Sequence, residues 1–549
     1  MNRRQVMLCV IAVCMLQLLC MLAHTQPISQ GPRGLIHRGI GPDGVGDLPF
    51  PNETIWMRHG GAQALKIEAP NHTDGPLEGY TISLSLPAGY ELMDPAGRHY
   101  QGHYGRNMPA VTFGTDGHRQ TVTLAFDNPI PIGDMETEKH NYVTVLVLRA
   151  SGEAVPSGKL AYDYRADGWK GPAGEYSVRL LPDLPGVVEK PQVLMCPVVW
   201  YGVHFNDAEY RALLKTVREA GFDTVHFSNY RDRLVQNTDS GTSGWLRTFV
   251  PSNRQKAAIA DELGFRIICS CTRTWGRDYF EFDGAPEHLA IGPDGEPVED
   301  IPCLEWFITE GYHRHHEMMA TEMDLHHADA WMRGNELGHA WEKYCFCDRC
   351  RKAFAEEKNI PEAVDMTGEE ILEEYPDEWL DFRCRQYARV CQQLREGAYK
   401  ARPGSLFGIY SGLQDPICKK RYTTDWRYLG KSCDYAVGTI GSFEVTHEAL
   451  GDTPLMGREG IYHFPTYQYN VSRLMRTYVD SGGYGLRMFS LHYYDGQILQ
   501  GAAKLSRFMA QSSDIPMNHH RQDDLASSAD EKLQARVLVG EGGRRLIVL

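Results

Sequence analysis

From Val193 onward the chain repeats one unit: a short apolar run, a loop, a stretch of helical period, and another apolar run. The first run, Val193-Leu194-Met195-Cys196-Pro197-Val198-Val199-Trp200, is apolar without alternation, the mark of a strand buried on both faces of a parallel sheet. A helical pattern follows over Asp207–Ala220, with Leu213, Leu214 and Val217 on one face and Gly221 to end it. Further runs predict strands at Thr224–Ser228, Phe265–Cys271, Ala328–Arg333, Leu406–Tyr410, Asp434–Gly438, Pro454–Gly457 and Leu486–Tyr493. Helical stretches such as Pro251–Leu263, Trp306–Met323, Trp379–Lys400 and Ile498–Met509 lie between them. Eight strands alternating with helices predict an α/β fold, a (β/α)8 TIM barrel. A doubly wound sheet satisfies the same period.

Ahead of Val193 the pattern changes to period two. Thr81–Leu86, Thr121–Phe126, Tyr142–Leu148 and Tyr176–Leu180 alternate apolar with polar residues between Gly and Pro breaks, which predicts an antiparallel β-sandwich preceding the barrel. The resulting division is 1–26 signal peptide, 27–49 linker, 50–187 β-sandwich, 190–515 barrel and 516–549 tail. In the tail, Ala535–Gly540 and Arg544–Leu549 flank a Gly-rich turn and read as a hairpin completing the sandwich.

Arg3 and Arg4 precede an apolar run from Val6 to Ala23, and His24-Thr25-Gln26-Pro27 turns polar, the layout of a bacterial export signal. The expectation is a secreted or periplasmic protein with no stable membrane insertion once the signal is gone. Its removal takes two positive charges and no acidic residue from a chain of net charge −15, leaving −17. So acidic a chain has no broad attraction for nucleic acid or anionic membranes. Self-association is left open by the sequence. Of 14 cysteines, three leave with the signal, and the odd remainder cannot all pair within one chain.

Chemistry in a barrel sits at the C-terminal ends of the strands. Strand four runs into Gly334-Asn335-Glu336, which puts a carboxyl and an amide together at the rim. Downstream, Tyr344-Cys345-Phe346-Cys347-Asp348-Arg349-Cys350 is a tight C-x-C-x-x-C whose spacing lets one loop wrap a tetrahedral Zn²⁺, with Cys303 placed to supply a fourth thiolate. Free thiols with one disulfide are the competing reading. A closed four-thiolate site keeps no position open for substrate, so this zinc is structural.

In these motifs the chain resembles glycoside hydrolase family 42, the β-galactosidase-type barrels. The family has an Asn-Glu pair ending strand four, a C-x-C-x-x-C run leading into a Cys-Arg-x-x-Phe pattern, here Cys350-Arg351-Lys352-Ala353-Phe354, and a zinc cysteine ahead of a Tyr-Arg-x-His pattern, similar to Cys303 before Tyr312-His313-Arg314-His315. The resemblance implies a retaining glycosidase acting on a β-galactoside-like oligo- or polysaccharide. It maps Glu336 to the general acid/base, Asn335 to a substrate hydroxyl, and Cys303, Cys345, Cys347 and Cys350 to zinc. The nucleophile would follow a Leu-Met pair ending strand seven. Here Leu455-Met456-Gly457-Arg458-Glu459 has Gly457 at the family's glutamate position and Glu459 two residues on, and a two-residue shift keeps side-chain parity on a strand. Glu459 is therefore expected at the barrel mouth, with Glu444 after strand six as the other candidate.

Sugar rings stack apolar faces on aromatics and offer polar rims to bidentate donors. Trp200, Trp275, Arg273, His492 and Tyr493 lie near strand ends and are the expected substrate contacts. His313, His315, His316, His326 and His327 read as the solvated face of a helix and its end. A non-catalytic carbohydrate-binding barrel is the alternative to an enzyme, since Gly457 replaces the family's nucleophile. A zinc-dependent hydrolase would need an open metal position.

Overall fold

The structure is a computed structural model, and it describes residues 36–37, 54–69, 71, 73–98, 109–130, 143–198, 205–228, 252–271, 285–334, 341–439, 441–460, 471–489, 491, 494–512, 520–521, 525–527 and 535–548. The signal segment lies outside them. No helix among the described residues is long and apolar enough to cross a membrane.

The first part of the chain forms ten strands: β1 (Ile36–His37), β2 (Thr54–Met57), β3 (Ala62–Glu68), β4 (Thr81–Ser85), β5 (Tyr90–Leu92), β6 (Ala110–Asp116), β7 (Arg119–Ala125), β8 (Val143–Ala150), β9 (Ser157–Ala166) and β10 (Trp169–Leu180). They make a four-stranded sheet, β1-β3-β8-β5, and a six-stranded sheet, β2-β10-β9-β4-β7-β6. All described pairings are antiparallel except β2 with β10. The alternation read from sequence is the cause: Ile82 and Leu84 of β4, Val122 and Leu124 of β7, and Leu146 and Leu148 of β8 are buried in one cluster that draws on both sheets.

Eight parallel strands then close a barrel: β11 (Val193–Val198), β12 (Thr224–Ser228), β13 (Arg266–Cys271), β16 (Ala330–Gly334), β17 (Leu406–Gly412), β18 (Tyr435–Thr439), β19 (Leu455–Gly460) and β20 (Gly485–Phe489). A small hairpin, β14 (Leu289–Ile291) with β15 (Pro297–Pro302), is inserted after β13. Closure settles the alternative of an open doubly wound sheet, because β20 pairs back onto β11 through Val193↔Gly485. The main barrel helices are α1 (Asp207–Glu219), α2 (Ser252–Glu262), α3 (Tyr312–Leu325), α4 (Asp348–Lys358), α5 (Gly368–Glu374), α6 (Pro376–Ala401), α7 (Phe443–Leu450), α8 (Val471–Asp480) and α9 (Gly496–Ser512). Local chemistry starts α1: Asn206 accepts from the Glu209 amide while the Glu209 carboxylate accepts from the Asn206 amide, a reciprocal capping box. It ends at Gly221, whose φ of +95° suits glycine and whose missing Cβ admits Ser506 of α9.

The strand-rich part is bolted to the barrel at α1. Arg98 Nη2 meets Glu209 Oε1 at 2.5 Å with both side chains buried, and Ala62 donates its amide to Thr216 Oγ1 at 2.8 Å. Removing one partner of such a buried pair costs about 3–5 kcal/mol, since a lone buried charge remains. At the other end of the chain, β22 (Arg536–Val539) and β23 (Arg545–Val548) form the expected hairpin. Its third strand is β21 (His520–Arg521), so the hairpin builds a separate three-stranded sheet and does not complete either sheet of the first part. The histidines divide as well. His313 and His327 are exposed as expected, whereas His315 and His326 are buried, because α3 packs against α6 and turns His315 inward beside Trp331.

Candidate active site and four-cysteine centre

Alternation along each barrel strand sorts side chains between the lumen and the surrounding helices. Met195, Ile268, Ala330, Met332, Tyr410, Tyr435, Val437 and Met456 pack together as the lumen core. Their strand neighbours Leu194, Cys196, Ile267, Trp331, Phe407, Ile409, Leu455 and Leu486 belong to the layer beneath the helices.

The lumen also holds a buried polar set. His226 Nε2 lies 2.7 Å from Ser270 Oγ, and its Nδ1 lies 3.5 Å from Arg487 Nη2. Arg487 and Arg458 both approach the Tyr410 ring, at 4.6 and 5.4 Å from its centroid. Burial, with Arg487 adding to it, holds the His226 imidazole well below the usual histidine range, so it is neutral at pH 7. The apolar character of the strands hid this layer, because His226, Ser270 and Arg487 each have apolar neighbours in sequence on both sides.

β16 ends at Gly334, and Asn335 and Glu336 follow directly, outside the described residues. Trp200, Arg273, Trp275, His492 and Tyr493 also lie outside them. What precedes and follows Glu336 is well held. Trp331 and Arg333 are buried on the helix side of β16, and the chain from Trp341 onward docks on α6. Trp379 Nε1 donates to the Trp341 carbonyl at 3.1 Å, and Arg383 Nη2 donates to the Tyr344 carbonyl at 3.0 Å.

Glu459 is in the structure, and its position corrects the expectation that it faces the barrel mouth. Side-chain parity with Gly457 holds, but that parity is the helix-facing one. A Cβ at Gly457 would lie 2.7 Å from Thr477 Cγ2 of α8, so this face of β19 is already filled by the helix. Glu459 continues that face: Thr477 Oγ1 donates to its carboxylate, and Arg473 Nε lies 3.3 Å from it. Burial pushes its pKa up, against the opposing pull of Thr477 and Arg473. The lumen-facing residues of β19 are Met456 and Arg458, and the described lumen-facing strand residues include no carboxylate. Glu444 is exposed in the first turn of α7, the helix after β18.

The four cysteines come together from three segments. Cys303 precedes a helical turn at Leu304–Trp306, Cys345 lies in the loop, Cys347 caps α4, and Cys350 lies in its first turn. Their sulfurs lie within 4.8 Å of one another, with Cys303 Sγ at 3.4 Å from Cys347 Sγ and 3.6 Å from Cys350 Sγ. Sulfurs at the corners of a tetrahedron around Zn²⁺ with bonds of about 2.3 Å sit about 3.8 Å apart. The donor set therefore fits the ion. None of the four is in a disulfide, nor are Cys196, Cys269, Cys384, Cys391, Cys418 and Cys433. Cys196 and Cys269 are buried small residues on the helix side of their strands.

No protein-family model matches this chain, and no curated protein matches it. Solved structures do resemble it in fold. The catalytic domain of β-amylase from Paenibacillus polymyxa matches with a TM-score of 0.43 at 10% identity, over 59% of this chain and 98% of the other. A β-galactosidase from Halorubrum lacusprofundi matches with a TM-score of 0.43 at 14% identity, over 58% of each chain. A family 39 glycoside hydrolase from Bacteroides cellulosilyticus matches over 90% of this chain and 87% of the other, with a TM-score of 0.40 at 11% identity. At such scores the likeness assigns no chemistry to this chain.

Proposed function

We propose that this chain is an exported O-glycoside hydrolase of retaining type, acting on a β-galactoside-like oligo- or polysaccharide. The observation that carries the reading is the closed barrel whose fourth strand stops at Gly334, two residues before Glu336, with the following chain clamped by α6 and by four converging thiols. Glu336 protonates the leaving oxygen and later activates water, and Asn335 holds a sugar hydroxyl. Trp200, Arg273, Trp275, His492 and Tyr493 line the sugar. Cys303, Cys345, Cys347 and Cys350 hold Zn²⁺, which cross-links the loop and takes no part in bond cleavage. The strand-rich part before the barrel is an accessory β-sandwich.

A retaining pair needs a second carboxylate about 5–5.5 Å from the first. Glu459 serves only if it leaves Thr477 and Arg473, and Glu444 is its competitor. The side on which Glu459 lies favours a second reading, a barrel that binds carbohydrate without cleaving it.

A panel of aryl glycosides, assayed with wild type and with Glu336→Ala, Glu459→Ala and Glu444→Ala, separates these readings. The expected result is a loss of about 10²–10⁴-fold in Glu336→Ala, partly restored by azide, and a comparable loss in one other variant. Unchanged turnover in Glu336→Ala overturns the assignment. A wild type that binds glycans and cleaves none supports the second reading.

A further inference from the structure

The four corners of the cysteine centre are not equivalent. Cys303, Cys345 and Cys350 are fully buried, and Cys347 is half-exposed. Two of the buried corners carry a donor from outside the cluster. The Ile291 amide of β14 lies 3.3 Å from Cys345 Sγ, and the side-chain amide of Gln386 lies 3.6 Å from Cys350 Sγ. Gln386 is itself held from both ends: Arg383 donates to its carbonyl, and its nitrogen donates to Glu305 Oε1 at 2.7 Å. Glu305 in turn accepts from Arg389 Nη2 at 2.5 Å. Trp379, Arg383 and Gln386 follow at helical spacing on one face of α6, so one buried helix face carries the donors that fix this side of the centre.

Cys347 has the opposite surroundings. It lines a cleft of about 570 Å³ between the β14–β15 hairpin and the start of α5, with Glu287, Ile291, Asp294, Phe346 and Glu369 among its walls. Glu287, Asp294 and Glu369 are exposed and give the entrance carboxylate oxygens, while Arg349 and Arg351 line the same cleft, so its walls carry both signs of charge.

Resting on the four-thiolate zinc assigned above, we propose that metal enters and leaves the folded protein through this cleft at the Cys347 corner, while Gln386 keeps the Cys350 corner anchored. On release, the Cys347 sulfur gives up its bond to the metal, a donor atom of an incoming chelator takes that position, and the freed thiolate takes a proton from water. No electron is transferred. A donor outside the ligand shell commonly tunes affinity at such sites, whereas on this route a bulky side chain in the cleft slows the approach of a chelator.

The test follows transfer of Zn²⁺ from the loaded full-length protein to 4-(2-pyridylazo)resorcinol by absorbance, with circular dichroism confirming that the protein stays folded. A release rate that rises with chelator concentration, and falls several-fold in Glu369→Trp and in Glu287→Trp, is the expected result. Both substitutions are at exposed positions on opposite walls, so one variant covers a folding failure of the other. Gln386→Met should weaken zinc binding about 10- to 100-fold while the dependence on chelator persists. A release rate independent of chelator and equal to the rate of global unfolding overturns the proposal, as does a rate unmoved by both tryptophans. Assaying aryl-glycoside turnover and zinc exchange on the same wild-type protein keeps the route apart from the glycosidase reading: a wild type that cleaves no glycoside yet exchanges zinc in this way counts against the enzyme and leaves the route standing. A chain that takes up no zinc refutes the metal assignment and the route together.

Discussion

The chain after β16 and the end of β19 both carry residues expected at the barrel mouth, and they are organised in opposite ways. After β16, four thiols and a face of α6 converge on the chain from Trp341 onward, so that stretch is held from several directions. At the end of β19, one carboxylate is drawn away from the mouth by two side chains of the following helix. A short-range motif such as C-x-C-x-x-C specifies its own neighbours, because ligand spacing and loop length are local quantities. A lone glutamate on a strand takes whichever side its parity and the adjoining helix leave to it.

The largest expected effect lies on the clamped side. Cys350→Ser, or chelation of the zinc proposed there, should destabilise the protein by on the order of 4 kcal/mol or more in denaturant unfolding, because either change takes away the proposed metal cross-link. An unchanged midpoint would dissolve the contrast by showing that the loop does not depend on the metal. Next comes Arg383→Met, which takes a buried cation from Gln386, from the Tyr344 carbonyl and from the Trp379 ring. Its cost should be about 2–3 kcal/mol, with weaker zinc retention as the accompanying sign.

On the other side, Thr477→Val leaves the Glu459 carboxylate buried with Arg473 and without its hydroxyl donor. The expected loss is about 1–3 kcal/mol with aryl-glycoside turnover preserved. Lost turnover without lost stability would mean that Glu459 works at the mouth. The smallest effect is a pH dependence. The folded pKa of Glu459 is raised by burial, so the native state holds this proton more tightly than the unfolded chain does. Its contribution to stability is present below the ordinary glutamate pKa and is lost as pH rises through the folded value. Glu459→Gln should flatten that decline just above the carboxylate range, measured as unfolding free energy against pH.

Much of the fold is legible without coordinates. All eight barrel strands lie where short, mostly apolar runs predicted them, and Thr224–Ser228 agrees to the residue. The reason is that a strand covered on both faces reads as a near-continuous apolar run. The exceptions were the informative positions. His226, Ser270 and Arg487 interrupt those runs and Arg458 directly follows one, and no one-dimensional pattern signals that they meet in the lumen. The α3 histidines show the same limit, since helical spacing gave a common stripe but packing against α6 divided it.

What the sequence determined by itself was therefore the succession of strands and helices, the period-two runs ahead of them, and the three cysteines of C-x-C-x-x-C as one set, all consequences of local spacing and of which residues water excludes. Only the tertiary structure decided that the parallel sheet closes, that the C-terminal hairpin forms a sheet of its own, and that Glu459 faces α8. Those outcomes depend on which surfaces meet. Parity along β19 gives two equivalent choices, and the close approach of Thr477 to Gly457 selects between them.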